Sequence, residues 1–356
     1  MKKIWLLALV FASFVQACST DIDINADWKD TTLVIGLLNP GDSTHYIRIH
    51  KAFLDPERSA FIIAQIKDSI YYQNLDVRID RILNNNVVSS TPLQEIDTSI
   101  LGEGIFHSPD MILYRYNSGQ LDPSSTYRLV INTPFGETVT AEVQPIGNTL
   151  SLPNGLPPGG PVPPSFRGLN WSSVVSPITF IAPSNAKSYD ITIRVIYDEW
   201  NRFTTTPGDT PTLVRKSVDY RPFINQTFRN VSNNERVEHR LNGRSMFAYM
   251  NGVIPINEDV NRRLRGTLFI FDFADEEFFT FLQINRPSSS IVDVRPTYTN
   301  VNNGIGIFAS RRSIPNIQQT LADPNYPFSS PFYREALGGV GVDSLRLRYP
   351  QLRFVP

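Results

Sequence analysis

Residues 126–143 read TYRLVINTPFGETVTAEV, two runs of alternating side chains separated by Pro134-Phe135-Gly136. Alternation at a period of two sends successive side chains to opposite faces of a strand, and a short Pro/Gly loop between two such runs joins antiparallel neighbours. The stretch therefore predicts a hairpin of Thr126 to Thr133 with Thr138 to Val143. Working outward, the pattern recurs. Thr32 to Leu38 reads as a strand closed by the turn Asn39-Pro40-Gly41-Asp42. His45 to Phe53 places His45, Ile47, Ile49 and Lys51 on one face and Tyr46, Arg48, His50 and Ala52 on the other, and Leu75 to Leu83 alternates in the same way. Strands at this spacing predict an antiparallel sandwich of immunoglobulin-like size over residues 28–144.

Seven prolines and five glycines fall within residues 145–168, a density that no strand or helix interior tolerates. This segment is expected to be a semi-rigid linker. Beyond it, Ile178 to Ile181 and Tyr189 to Trp200 resume the strand pattern, and Thr267 to Phe273, apolar on both faces, reads as a covered central strand. Asn242-Gly243, between Val237 to Leu241 and Arg244 to Tyr249, predicts a two-residue hairpin turn, and Asn251-Gly252 a second. Asp275-Glu276-Glu277 places negative charge at a helix start, with Phe278, Phe281 and Leu282 on one face before Arg286-Pro287. Leu345 to Tyr349 alternates as a final strand. The expected fold is mainly all-β: an N-terminal immunoglobulin-like β-sandwich, then a β-rich domain over residues 169–356 with one or two short helices, one near 275–285. The length of 356 residues favours two domains over one.

Hydrophobic residues make up 41% and charged residues 19%, enough apolar side chain for folded cores. The formal net charge is −1, which argues against a nucleic-acid partner, since phosphate binding calls for a basic excess. The chain holds one cysteine, so neither an intramolecular disulfide nor a cysteine-based zinc site can form.

The position of that cysteine carries the address. Lys2 and Lys3 precede an apolar run from Ile4 to Val15, the length of a signal-peptide core and short of the roughly 20 residues that a membrane span needs. Val15-Gln16-Ala17-Cys18 follows and resembles a bacterial lipobox, although Gln16 departs from the small or hydroxylated residue usual there. Residues 1–17 are thus expected to be a lipoprotein signal peptide, Cys18 the lipid attachment site bearing palmitate-type acyl chains, and 18–27 a tether. Ser19 is not the aspartate of inner-membrane retention, so the expected location is the outer membrane, lipid-anchored. Asp21 and Asp23 loosely resemble an acidic surface-export signal, leaving the periplasmic and cell-surface sides both open.

The acidic stretch after Cys18, the strand Leu33-Val34-Ile35-Gly36-Leu37-Leu38, Ser125-Thr126-Tyr127-Arg128-Leu129 ahead of Thr138-Val139-Thr140, and above all Asn300-Val301-Asn302-Asn303-Gly304-Ile305-Gly306-Ile307-Phe308 resemble the DUF4249 lipoproteins of Bacteroidetes. Those proteins have no defined function and are often encoded beside TonB-dependent outer-membrane receptors. The resemblance implies an address and a neighbour; it supplies no catalytic residues. Asn303-Gly304 also reads as a left-handed turn, and Gly306 as a place of close backbone approach, for packing ahead of ligand binding.

No catalytic constellation stands out. His45 and His50 lie on opposite faces of one strand, and His107 and His239 are remote, so no histidine metal site is expected. Asp272, Asp275, Glu276 and Glu277 could serve as paired acids for glycosidic hydrolysis, but three of them fit helix capping better. Asp198-Glu199, Asp209 and Asp42 read as solvated turn acids before calcium ligands. Tyr71, Tyr72, Tyr114, Tyr116, Trp171 and Trp200 read as core aromatics before sugar or peptide platforms. Arg262, Arg263 and Arg265, like Arg346 and Arg348, read as solvated edges. The expected function is a non-enzymatic outer-membrane lipoprotein, a ligand-capturing or accessory subunit of a TonB-dependent receptor, with no cofactor or metal. The alternatives are a structural or adhesive surface lipoprotein and, ranked last, an all-β hydrolase.

Overall fold

A computed structural model describes residues 31–52, 59–98, 111–147, 174–203, 211–229, 235–286, 297–314, 333–335 and 340–355. The leader, Cys18, the tether and all of the linker after Gly147 lie outside these residues. The strands are β1 (Thr32–Leu38), β2 (Thr44–Lys51), β3 (Asp76–Leu83), β4 (Asn86–Pro92), β5 (Gln94–Thr98), β6 (Met111–Asn117), β7 (Thr126–Asn132) and β8 (Thr138–Val143). They continue with β9 (Val174–Ile181), β10 (Ser188–Asn201), β11 (Val214–Thr227), β12 (Arg236–Asn242), β13 (Val260–Ala274), β14 (Val301–Asn302), β15 (Gly304–Ile314) and β16 (Tyr333–Glu335). Short helices are α1 (Ala60–Ile63), α2 (Lys67–Ile70), α3 (Gly243–Val253), α4 (Glu276–Ile284) and α5 (Val340–Arg348). The fold is all-β with short helices, as the alternation predicts.

One long sheet runs β11-β10-β13-β15-β1-β2-β6-β5, with β16 beside β13. A second runs β14-β8-β7-β3-β4, and β12 pairs with β9 alone. In the first half of the chain the two larger sheets share one core: Val34, Leu38, Ile47 and Ile49 come from the long sheet, and Ile79, Leu129, Ile131 and Val139 from the second. The predicted hairpin is there, with Tyr127 opposite Val143 and Asn132 opposite Thr138.

The sandwich is not built from residues 28–144 alone. β14 pairs with β8, and β15 runs parallel to β1 from Thr32↔Gly304 to Leu38↔Ser310. Further along, β15 pairs antiparallel with β13, from Phe271↔Ile314 to Ala274↔Arg311. A single strand thus belongs to both halves. The glycines explain why it can lie so close to β1. Gly306 has φ 125, and a Cβ built there would stand 1.9 Å from the Val34 carbonyl oxygen, so only glycine fits. Phe308, fully buried, fills the space above Gly36. The packing reading of this glycine-rich segment holds. The expected linker also begins later than Pro145: Ile146 is fully buried and its N–H donates to Ser310 Oγ at 3.1 Å, while the Gly147 N–H donates to the Ser184 carbonyl.

The second core lies around β10 and β13. Phe180, Tyr189, Phe228, Phe271 and Phe273 meet there, Phe180 and Phe271 edge-on at 5.3 Å between centroids. Each such ring removed from water contributes about 1.5–3 kcal/mol.

Two sequence readings are corrected. Asn242-Gly243 is no hairpin turn but the start of α3: Asn242 Oδ1 accepts the Ser245 N–H at 3.2 Å as an N-cap. Met246, Phe247 and Met250 are buried on one side of that helix, a spacing near 3.6 that outweighs the Asn-Gly signal, and Asn251-Gly252 falls inside it. Leu345 to Tyr349 is likewise no strand. It falls in and just after α5, where Leu345 is buried and Leu347 is 81% exposed, opposite fates for two residues that a strand would place on one face.

Candidate functional site

The site is a cleft of about 190 Å³ between α4 and the outer face of the long sheet. Its floor arises from register. Asp190 on β10 stands opposite Asp272 on β13, and Asp272 opposite Ser313 on β15, so three polar side chains form a row across three central strands. Arg221 and Asn225 on β11 extend the row to the sheet edge. Phe278, Phe279 and Leu282 of α4 form the opposing wall, and Arg311 stands exposed at the mouth.

Helix α4 is held over the sheet by its first turn. Asp275, 6% exposed, accepts the Phe278 N–H at 2.8 Å through Oδ1, and the Ser310 N–H at 2.6 Å through Oδ2. Burial pushes its carboxyl up to about 7, against the pull of those two amides. Glu276 reaches Lys187 at 3.3 Å, and Tyr298 donates to Glu277. The helix predicted at 275–285 is therefore present with the cap expected of it. Its apolar face is only partly covered, and Leu282 is 41% exposed.

The two floor carboxylates differ. Asp190 is engaged on both oxygens: Arg221 Nη2 donates to Oδ2 at 2.6 Å and the Asn225 N–H to Oδ1 at 2.7 Å. Asp272 takes a hydrogen bond from Ser313 on Oδ1. Burial, then the charge of Asp190, raise its carboxyl above the usual range, opposed by the Ser313 hydrogen bond and by the Arg221 and Arg311 guanidiniums. The cleft thus sets an acid engaged on both oxygens beside one engaged on a single oxygen. Among the described residues, the Arg311 guanidinium makes no hydrogen bond.

Other sequence candidates fall into structural roles. His45 is buried, with Nε2 3.0 Å from Ser118 Oγ, and burial pushes the His50 imidazole down to about 4. His239 stacks on Phe223 at 4.1 Å and meets the Tyr189 hydroxyl at 2.8 Å. Among the described residues, no three His, Cys, Asp or Glu side chains are grouped to hold a metal. Tyr71, Tyr114 and Tyr116 are buried in the first core, Tyr72 is buried with its hydroxyl 2.9 Å from Thr32 Oγ1, and Trp200 lies under Arg263 at 5.7 Å. Asp42 sits at the Asn39 turn, taking a hydrogen bond from Asn39 Nδ2 at 2.8 Å. Cys18, Asp21, Asp23, His107, Trp171 and Asp209 lie outside the described residues.

One expectation fails outright. Asp198 and Glu199 are not turn acids but strand residues of β10, 4% and 8% exposed, and Arg262 is not a solvated edge but 1% exposed. Glu199 pairs with Arg262 at 2.8 Å and Lys216 at 2.5 Å, while Asp198 pairs with Arg215 at 3.3 Å and Arg265 at 3.5 Å. Burial opposes ionisation of Glu199, but the hydrogen bonds from Lys216 and Arg262 outweigh it and hold the carboxyl below its usual range. Arg262 also donates to the Leu352 and Pro255 carbonyls, which ties down the C-terminal segment.

Asp190, Arg221, Arg311 and Ser313 escaped the sequence reading. The available signal was an acid set within an apolar run of each of two strands, Asp190 ahead of Ile191 and Ile193 on β10 and Asp272 between Phe271 and Phe273 on β13, positions that share a face if the strands pair in register. No protein-family model matches the chain, and no curated protein matches it.

Proposed function

We propose that this is a non-enzymatic, lipid-anchored binding protein of the outer membrane, attached through Cys18, which captures a small ligand in the α4 cleft and serves a TonB-dependent receptor. The observation that carries the address is the sole cysteine directly after an apolar leader. Capture is supported by the cleft, in which a fixed polar row faces an apolar wall, the composition of a small-molecule site. Cross-linking in cells followed by purification in mild detergent is expected to recover the protein with a large β-barrel receptor. Recovery of the lipoprotein alone overturns the receptor association.

One observation favours a second reading, an all-β hydrolase. Asp190 and Asp272 are direct cross-strand neighbours, whose Cβ atoms stand roughly 5 Å apart in such pairs, and burial raises the Asp272 carboxyl above its usual range, as a general acid requires. Against it, Asp190 is occupied by Arg221 and Asn225, and a cleft of about 190 Å³ has room for one small unit but not for sugar on both sides of a bond. Turnover of aryl glycosides that disappears in Asp272→Asn would establish the hydrolase; absence of turnover removes it.

A further inference from the structure

We infer that the α4 cleft takes a small zwitterion with an apolar side chain, of the kind presented by a free α-amino acid, with its ammonium on Asp272 and its carboxylate on Arg311. This rests on the capture reading above and names its ligand class.

The register sets the spacing. Asp272 faces Ser313 and Ala274 faces Arg311, so Asp272 and Arg311 are diagonal neighbours on one face of adjacent strands. Diagonal pairs stand about 7–8 Å apart. An α-amino acid carries its ammonium and its carboxylate on one carbon, so the short Asp272 side chain can take the ammonium while the longer Arg311 side chain, starting from the neighbouring strand, reaches the carboxylate.

Charge selects the same class. Asp190 and Arg221 neutralise each other at 2.6 Å, and Arg312, which also lines the cleft, donates through Nη1 to the Gly147 carbonyl at 3.0 Å, so Asp272 and Arg311 are the acid and the base with hydrogen-bonding capacity left for a ligand. A net anion or net cation would leave one of them unanswered, whereas a zwitterion answers both. Asp272 has an oxygen beyond the one that accepts from Ser313, and an ammonium supplies three donors. The third element is the wall of Phe278, Phe279 and Leu282, rings and branched carbons half-covered on the far side from the carboxylates, against which an apolar side chain loses its water. The volume of about 190 Å³ limits the occupant to one such unit.

The test is calorimetric titration of the full purified protein with free phenylalanine and leucine, phenylalanine amide, N-acetylphenylalanine and a set of neutral monosaccharides. The free amino acids are expected to bind, and removal of either charged end is expected to weaken binding about tenfold or more, the size of one charge-assisted contact. Asp272→Asn is expected to weaken the free amino acid and the amide while sparing the N-acetyl form. Arg311→Ala, at an exposed position that does not threaten folding, is expected to weaken the free amino acid and the N-acetyl form while sparing the amide. Arg346→Ala, on α5, is the control. Equal binding of all three phenylalanine forms, indifference to both variants, or no amino-acid binding at up to ~10 mM overturns the proposal. Monosaccharide binding that depends on Asp272 overturns the ligand class while leaving capture intact. The receptor association is judged separately, by the cross-linking experiment.

Discussion

Removing the Asp275 carboxylate is expected to destabilise the protein strongly in mild acid and weakly above neutrality. The side chain caps α4 and also satisfies the N–H of Ser310, a residue with no exposed surface. Asp275→Ala therefore forfeits an N-cap, about 1 kcal/mol, and strands a buried amide, about 1–3 kcal/mol, for a loss of roughly 2–4 kcal/mol when the acid is neutral in the fold. The pH dependence has a definite sign. The folded carboxyl titrates at about 7 against 3.8 when unfolded, so its contribution is fully present below about pH 4 and is lost as pH rises towards 7. Between about pH 5 and about pH 8 this removes on the order of 2–3 kcal/mol from the parent protein and nothing from the variant. Urea unfolding of both proteins at those two pH values, followed by far-ultraviolet circular dichroism, should show a large penalty near pH 5 that mostly vanishes near pH 8. A penalty that is the same at both values, or larger at the higher one, would refute the assignment of a buried, reluctantly ionised acid at this joint.

Replacing Cys18 with alanine should release the protein from the membrane fraction and abolish fatty-acid labelling; continued labelling places the lipid elsewhere. Gly306→Ala should cost at least about 3 kcal/mol in a thermal melt, from a Cβ set 1.9 Å from the Val34 oxygen on a backbone at φ 125. Gly119→Ala, with nothing within 4 Å of its Cβ, should cost about 1 kcal/mol, and equal losses at the two sites contradict the close approach. Arg262→Ala should cost about 3–5 kcal/mol, because Glu199 keeps its burial and loses a partner, and should expose the segment after Leu345 to limited proteolysis. Asn242→Ala should cost about 1 kcal/mol by denaturant unfolding, the value of a helix cap, where a broken hairpin turn would have disrupted the pairing of β12 with β9.

Local pattern was legible in the residues. Strands β1, β2, β3, β7, β8, β10 and β13 all fall where alternation or apolar runs place them, and so does the acid-capped helix α4, because period and cap chemistry are properties of a few consecutive residues. Partnership was not. Nothing in Gly304-Ile305-Gly306 announces Val34 as its neighbour, and the two-domain division missed that β14 and β15 return to the first sandwich. The failure at Asp198, Glu199 and Arg262 has the same origin: charged residues read as solvated until the strand opposite is known to carry the opposite charge. Asn242-Gly243 misled for a different reason, since asparagine caps helices as readily as it turns hairpins, and only the burial of Met246, Phe247 and Met250 decides between them. The cleft was partly visible through Asp272 and the aromatic face of α4, but its other half comes from β10, β11 and β15, joined only by register.

The pairing of β15 with β1 has a consequence for how the chain reaches its native state. Leu38 and Ser310 are 272 positions apart, so an early strand waits for almost the whole polypeptide before its open edge is sealed. Such high contact order slows folding and leaves a hydrophobic edge available to wrong partners in the meantime. For a chain delivered across a membrane from its N-terminus, as proposed above, β1 pairs with β2 on one side early but keeps its other edge open longest. On the proposed export route, a periplasmic holding chaperone is therefore expected to engage residues 32–38, and a fragment ending at residue 147 to aggregate instead of folding as a free-standing sandwich.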